Sequence, residues 1–369
     1  MKKKLAAVVI GMSMAAAAFG MNASADEGGK LLFFAIGNLG DMGINDLGWY
    51  AAQNVADKYG LDLTVVEGTN DASVRTTSLL DALETGGYDY CITASWYIQD
   101  DLLANIDNYS DTKFVIYDTS PLTSFADYDN ITGISFRQDE GSFMAGVYQC
   151  LMTQTGKIGA VASQDSPILN DFVTGWLAGV KYYNDTYDKD VQYDMAYLSD
   201  ATIAGDYETA SVLYGSGCDV VYKIAGTYGL GCAQASEEAG GYEKGRLMVG
   251  VDYDQYSVYE KSDSEVVGKE NVATSMQKKI EESVTDAMSK VIEGNGAMAE
   301  NVRYTLAMGG VGLAYNDHYE ELTPDDVKTT ISEVEQKIKD GEIVVPSYFD
   351  FADYDEFAAF RDDPDARLD

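Results

Sequence analysis

The 369-residue chain is predicted to be an α/β protein of two doubly wound lobes, each built on a parallel sheet and joined to the other through a multi-strand hinge. Three observations predict it. Short apolar, β-branched or aromatic runs alternate with longer helical patterns, the alternation comes as two successive series, and no long Pro/Gly-rich linker separates them, with five prolines in the whole chain. Strand–helix alternation implies right-handed βαβ units and parallel sheets. The missing linker implies close, coupled lobes.

The first series reads as strands at 31–36, 61–67, 88–94, 113–118 and 131–136, with helices at about 44–59, 73–85 and 97–107. The second has strands at 157–162, 191–197, 219–223 and 247–251, with helices near 138–152, 167–183, 201–214 and 230–239. Beyond Asp252 the pattern predicts a strand at 266–269, a long helix at 271–293, short strands at 302–307 and 312–315, and a helix at 323–339. On this reading residues 26–135 with about 254–300 form the first lobe, and 136–253 with about 301–369 the second. The returns imply several crossings, and crossings make a hinge.

The N-terminus has the form of a leader. Met1-Lys2-Lys3-Lys4 is a positive start, and an apolar run from Leu5 to Gly20 is too short for a comfortable membrane span. Asn22-Ala23-Ser24-Ala25 then supplies an A-x-A cleavage pattern ahead of Asp26-Glu27, which places the cut after Ala25. No cysteine lies nearby to carry a lipid anchor. The expectation is an exported, freely diffusing monomer, most simply in a periplasm.

Cleavage takes three lysines from a chain of net charge −36, leaving 344 residues at −39. Such a surface repels nucleic acid and anionic lipid, so neither is an expected partner. With 46 % apolar residues and 27 tyrosines in regular blocks, the chain can nevertheless bury a core. Cys91, Cys150, Cys218 and Cys232 match no zinc spacing, and no disulfide pairing follows from them. His318 is the sole histidine, which argues against His-dependent triads and His-bound metals. No metal or cofactor is expected.

In open α/β sheets ligands sit beyond the carboxyl ends of the strands. After the first strand comes Gly37-Asn38-Leu39-Gly40-Asp41-Met42-Gly43-Ile44-Asn45-Asp46-Leu47-Gly48-Trp49-Tyr50, at the entry to a helix. Asp41 or Asn45 can cap that helix. Beside the ring of Trp49, one turn beyond Asn45, the same pair can recognise a flat, hydrogen-bonding ligand. Trp96 and Asp118 also follow strands, where lining a cleft competes with packing and capping. The glycines from Gly226 to Gly231 have no Gly-Lys-Ser/Thr after them, which argues against a phosphate cradle. Asn184 to Asp190 lacks the glycine and closing Glu of a calcium loop and reads as a solvated turn.

Asp41-Met42-Gly43-Ile44-Asn45-Asp46-Leu47-Gly48-Trp49 resembles the D-x-S-F-N-x-x-x-aromatic signature of the basic membrane protein family, solute-binding proteins of ABC transporters that include purine nucleoside receptors. The resemblance continues in order through Ile134 to Gly146, Gly156 to Gly159, Phe172 to Gly179, Asp219 to Gly231, Val249 to Gln255, Thr274 to Lys278 and Gly309 to Leu313. It implies a type I periplasmic-binding fold, a nucleoside-like ligand held between the lobes, a membrane ABC permease as partner, and no catalysis. It further implies that Asp41 and Asn45 recognise the base, Trp49 or Tyr50 stacks on it, and Gly226 meets the ligand with its backbone. Asp252 would accept from the ribose hydroxyls, with Lys278 as its basic partner. The family's second stacking aromatic falls at Leu198, with Tyr197 as a substitute. A sugar or sugar-like signal in the same cleft is the alternative ligand, and an exported nucleoside hydrolase using Asp41, Asp46 and a metal the remote one. The secreted protein should begin at Asp26; intact-mass measurement showing residues 1–25 still attached would refute the cut.

Overall fold

A computed structural model describes residues 28–364 apart from 42, 70, 201, 225, 263, 264 and 297. The leader expected at 1–25 lies outside the described residues. Among them, no helix is long and apolar enough to cross a membrane.

The strands are β1 (Lys30–Ala35), β2 (Asp62–Glu67), β3 (Tyr90–Ala94), β4 (Lys113–Tyr117), β5 (Ile131–Phe136), β6 (Lys157–Ala162), β7 (Gln192–Tyr197), β8 (Val220–Ile224), β9 (Leu247–Asp252), β10 (Val272–Lys278), β11 (Asn301–Tyr304) and β12 (Val311–Leu313). The helices are α1 (Ile44–Tyr59), α2 (Ala72–Gly86), α3 (Gln99–Leu103), α4 (Gln138–Met152), α5 (Pro167–Tyr187), α6 (Ile203–Gly215), α7 (Leu230–Glu238), α8 (Gln255–Glu260), α9 (Ile280–Ile292), α10 (Asp317–Leu322), α11 (Asp325–Lys339) and α12 (Tyr354–Asp362). Two six-stranded sheets result, ordered β11-β5-β4-β3-β1-β2 and β12-β10-β9-β8-β6-β7. Every described pairing is parallel except that of β12 with β10. Helices cover both faces, so a central strand such as β1 reads as a continuous apolar run, with Leu31 to Ala35 fully buried. The four cysteines are buried free thiols.

The C-terminal third is distributed differently from the expectation. The segment 254–300 does not return as a block to the first lobe: β10 joins the second sheet beside β9, and only α9 packs on the first lobe, against α1 and β4. Nor does 301–369 belong wholly to the second lobe, because β11 extends the first sheet beside β5. The physical reason is that α8 is a short crossover returning the chain from β9 to its parallel neighbour. The strand expected at 266–269 lies instead at β10, and the helix expected from 271 starts at Ile280, since Val272-Ala273-Thr274-Ser275 is taken up by sheet pairing.

Three segments therefore cross between the sheets: β5 to α4, β10 to α9, and β11 to β12. Charge ties the first and third together. Arg137 donates from Nε and Nη2 to Asp139 and from Nη2 to the Val345 carbonyl. Arg303 on β11 lies 3.3 Å from Asp171 and 3.5 Å from Asp139, both fully buried. Asp171 also accepts from Gln138, Ser347 and the Tyr348 amide. Burial first, and then the Asp139 charge, push its carboxyl above the ordinary range.

In the second lobe α4 and α5 pack backbone to backbone. A Cβ on Gly175 would stand 2.0 Å from the Asp139 carbonyl oxygen, so glycine there sets the helix separation. Gly175→Ala should cost about 1–3 kcal/mol of stability through overpacking. Chemical denaturation with an unchanged midpoint would show that the helices have room.

Candidate functional site

The carboxyl ends of the central strands of both sheets open onto one cavity of about 460 Å³ between the lobes. This is the place where doubly wound sheets bind ligands. From the first lobe it is lined by the loop after β1, by Trp96 and Tyr97 after β3, and by Asp118 after β4. From the second come Ser163 after β6, Gly226 after β8, Asp252 ending β9, Lys278 ending β10, and the first turns of α5.

The β1 loop is shaped by Asp41. Its carboxylate accepts from the amides of Gly43, Asn45 and Asp46, serving the free N–H groups at the start of α1. It also accepts from Asn45 Nδ2 at 2.8 Å. Capping and recognition are thus one arrangement: the amide is turned so that Asn45 Oδ1, on a residue 6 % exposed, has no hydrogen-bond partner among the described residues. A buried acceptor left unpaired costs about 1–3 kcal/mol, which a donor in the cavity would recover. Burial outweighs the hydrogen bonds to Asp41 and raises its carboxyl above the ordinary value. The helix start is held by Tyr117, whose hydroxyl donates to the Ile44 carbonyl at 3.0 Å and occupies the space a Cβ on Gly48 would need.

The cavity also carries an ionic cluster. Lys278 Nζ, from the second sheet, donates at 2.7 Å to Asp118 Oδ1, from the first, and both residues are buried. Burial works against the Lys278 charge, but Asp118 and Asp252 overcome it and hold the ammonium above its ordinary value. Burial also raises the Asp252 carboxyl, against the pull of Lys278. Asp118 and Asp252 both sit in the left-handed region, at φ 57° and 69°, which aspartate tolerates better than most side chains.

An apolar wall of Ile168, Leu169 and Phe172 completes the cavity, and the Phe172 ring centroid stands 4.8 Å from Lys278 Nζ. Trp96 and Tyr97 stack on each other at 4.0 Å. Tyr97 reaches the second lobe, where Gln164 Nε2 donates to its hydroxyl at 3.1 Å.

Of the residues singled out from sequence, Asp41, Asn45, Trp96, Asp118, Gly226, Asp252 and Lys278 come together at the cavity. Trp49, Tyr50 and Tyr197 do not line it. Trp49 lies one turn deeper along α1 and packs on Phe33 at 5.8 Å, while Tyr50 is 47 % exposed. Tyr197 ends the edge strand β7 and donates to Asn170 Oδ1, away from the sheet centre. The residues missed are Phe172, Ile168 and Tyr97. The signal for the first two was the i, i+4 spacing on the first turns of a helix that follows a central strand.

Fold and cavity define the chain as a two-lobed binding protein, and comparison with known proteins gives the family. Residues 29–348 match the family model described as "ABC transporter substrate-binding protein PnrA-like", and the chain belongs to this basic membrane protein family. It is 29 % identical over 317 residues to the "ABC transporter nucleoside-binding protein BmpA" of Lactococcus lactis subsp. cremoris, covering 83 % of this chain and 86 % of that one. It is 25 % identical to "Basic membrane protein A" of Borreliella afzelii, covering 84 % and 89 %. In fold it is similar to an ABC transporter solute-binding protein from Aeropyrum pernix K1, at TM-score 0.75 and 24 % identity over 91 % of this chain and 97 % of that one. The fold is that of the periplasmic binding proteins, and the family is one of substrate-binding proteins.

The Lys278–Asp118 pair predicts a strongly non-additive mutant cycle. Lys278→Met and Asp118→Asn should each cost about 3–5 kcal/mol, since each strands a buried partner, and the double variant less than their sum. Additive losses in denaturant melts would show that the pair does not couple the lobes.

Proposed function

We propose that this chain is an exported binding protein that carries a purine nucleoside or similar small hydroxylated solute to a membrane ABC permease and catalyses no reaction. The observation that carries the reading is the unpaired Asn45 Oδ1, held by Asp41 in a cavity that also presents Asp252 and Lys278. A ring N–H suits the first, and vicinal hydroxyls suit a carboxylate that shares its site with an ammonium. The nucleoside-binding name of the lactococcal relative supports the same class.

In this reading the base is flanked by Trp96 or Tyr97 from the first lobe and Phe172 from the second, the cavity-lining rings taking the place expected of Trp49, Tyr50 and Tyr197. Asp41, Asp118 and Asp252 face one lysine among the described lining residues, an imbalance that disfavours a phosphate and selects nucleosides over nucleotides. Contacts from both lobes favour the closed state, so binding and hinge bending are linked.

Calorimetry with inosine, guanosine, adenosine, ribose, galactose and a nucleoside monophosphate tests the reading. Saturable binding of nucleosides alone is expected, and binding of the sugars alone would overturn it in favour of a sugar cargo. Asp252→Asn, which keeps a side chain tolerant of positive φ, should weaken nucleoside binding by about tenfold or more while circular dichroism stays unchanged. Undiminished affinity would remove Asp252 from the site.

A further inference from the structure

Behind the cavity lies a buried charge that the binding scheme above does not use. Lys223, on the central strand β8, is fully buried. Its Nζ donates to the carbonyl of Gly226, the residue that lines the cavity at φ 47°. The turn from Gly226 to Gly229 is built around the lysine stem: a Cβ on Gly229 would stand 1.8 Å from Lys223 Cε. On the cavity side, Asp252 Oδ2 is 3.9 Å from where a Cβ on Gly226 would be. On the far side is Asp206 of α6, fully buried, with one oxygen accepting from the Cys232 amide at 2.6 Å and the other without a partner among the described residues.

We propose that Lys223 is a positioning residue of the ligand site: from inside the lobe its ammonium holds the Gly226–Gly229 turn against the cavity and helps keep Asp252 ionised. This rests on the cavity being the ligand site. The ionisable groups facing the lysine are Asp206 from α6, Asp252 from the end of β9 and the Cys232 thiol from α7. Each is acidic, so each favours the ammonium, while burial opposes it and brings Lys223 down to about 8.

The direction of the pH effect follows. As pH rises through about 8 the ammonium is lost, the Gly226 carbonyl loses its donor, and ligand affinity falls, while Lys278, held above its ordinary value, stays charged. On the acid side, binding fails as Asp252 takes up a proton, and Lys223 helps Lys278 to oppose that uptake. Removing Lys223 should therefore flatten the alkaline limb and move the acid limb to higher pH. A lysine that only filled space would leave the acid limb where it is.

The test compares the wild-type protein with Lys223→Met and Asp206→Asn in two arms. In the ligand-free arm, hydrogen exchange of the 226–232 amides, corrected for intrinsic rate, should show wild-type protection lost above about pH 8 and absent in Lys223→Met at every pH. In the second arm, guanosine and inosine affinity should fall roughly tenfold across the alkaline limb in wild type, about the effect of one charge-assisted hydrogen bond. Lys223→Met should be uniformly weaker, without that limb and with the acid limb raised. Asp206→Asn, which leaves the lysine with less opposing charge, should move the alkaline midpoint of both arms to lower pH, and it decides the matter if Lys223→Met does not fold. Wild-type-like protection and pH profiles in the variants would overturn the proposal. The expected exchange behaviour with no nucleoside bound would instead overturn the nucleoside reading and leave the role of Lys223 in holding the turn intact.

Discussion

The ion pair between Lys278 and Asp118 is the contact on which the arrangement of the two lobes turns. It joins the end of a strand in one sheet to the end of a strand in the other, at 2.7 Å and out of solvent. A buried charge that loses its partner is expensive, so each lobe stabilises a residue of its neighbour. The same lysine faces Asp252 and the Phe172 ring. Anything that enters the cavity and draws on Asp252 therefore also acts on the contact that spans the lobes.

A second layer of charge lies at the crossings. Arg137 and Arg303 leave the first sheet beside one another and meet Asp139 and Asp171 on helices of the second lobe, with Ser347 of the C-terminal segment fastening Asp171 from outside. Main-chain and side-chain donors surround the Asp171 carboxylate, which partly offsets the cost of burying two acids together. The crossings thus carry a polar knot beside the apolar packing of Phe136, Tyr304 and Leu306.

How much of this was legible in the sequence differs from level to level. The nine strands of the βαβ alternation up to β9 were readable because buried parallel strands are short apolar runs between amphipathic helices. Beyond Asp252 the reading slipped. Val272 and Thr274 are β-branched and favour a strand, but the mix with Ala273 and Ser275 is short, and its place beside β9 is decided by pairing that composition does not encode. The strand-end rule found Asp41, Asn45 and Asp118, because short polar residues after apolar runs stand out, while Asp252 and Lys278 came from the family resemblance and line the same cavity. The rule missed the apolar wall, since Ile168 and Phe172 look like ordinary helix core. Trp49, read from the strand end, packs on Phe33, and Tyr197, taken from the family resemblance, makes an edge-strand hydrogen bond.

The left-handed aspartates have a consequence for the symmetry of the molecule. Asp118 follows β4 and Asp252 ends β9, and these strands hold the same rank in two sheets of matching strand order, β2-β1-β3-β4-β5-β11 and β7-β6-β8-β9-β10-β12, which differ in that β12 runs antiparallel. The two acids hold topologically equivalent positions, although no repeat is visible in the sequence. By the same equivalence, the loop that enters α1 with Asp41 and Asn45 is the counterpart of the one that enters α5 with Ile168 and Phe172. Between these equivalent positions it is the contrast of one polar and one greasy helix entrance that gives the cleft a single polarity.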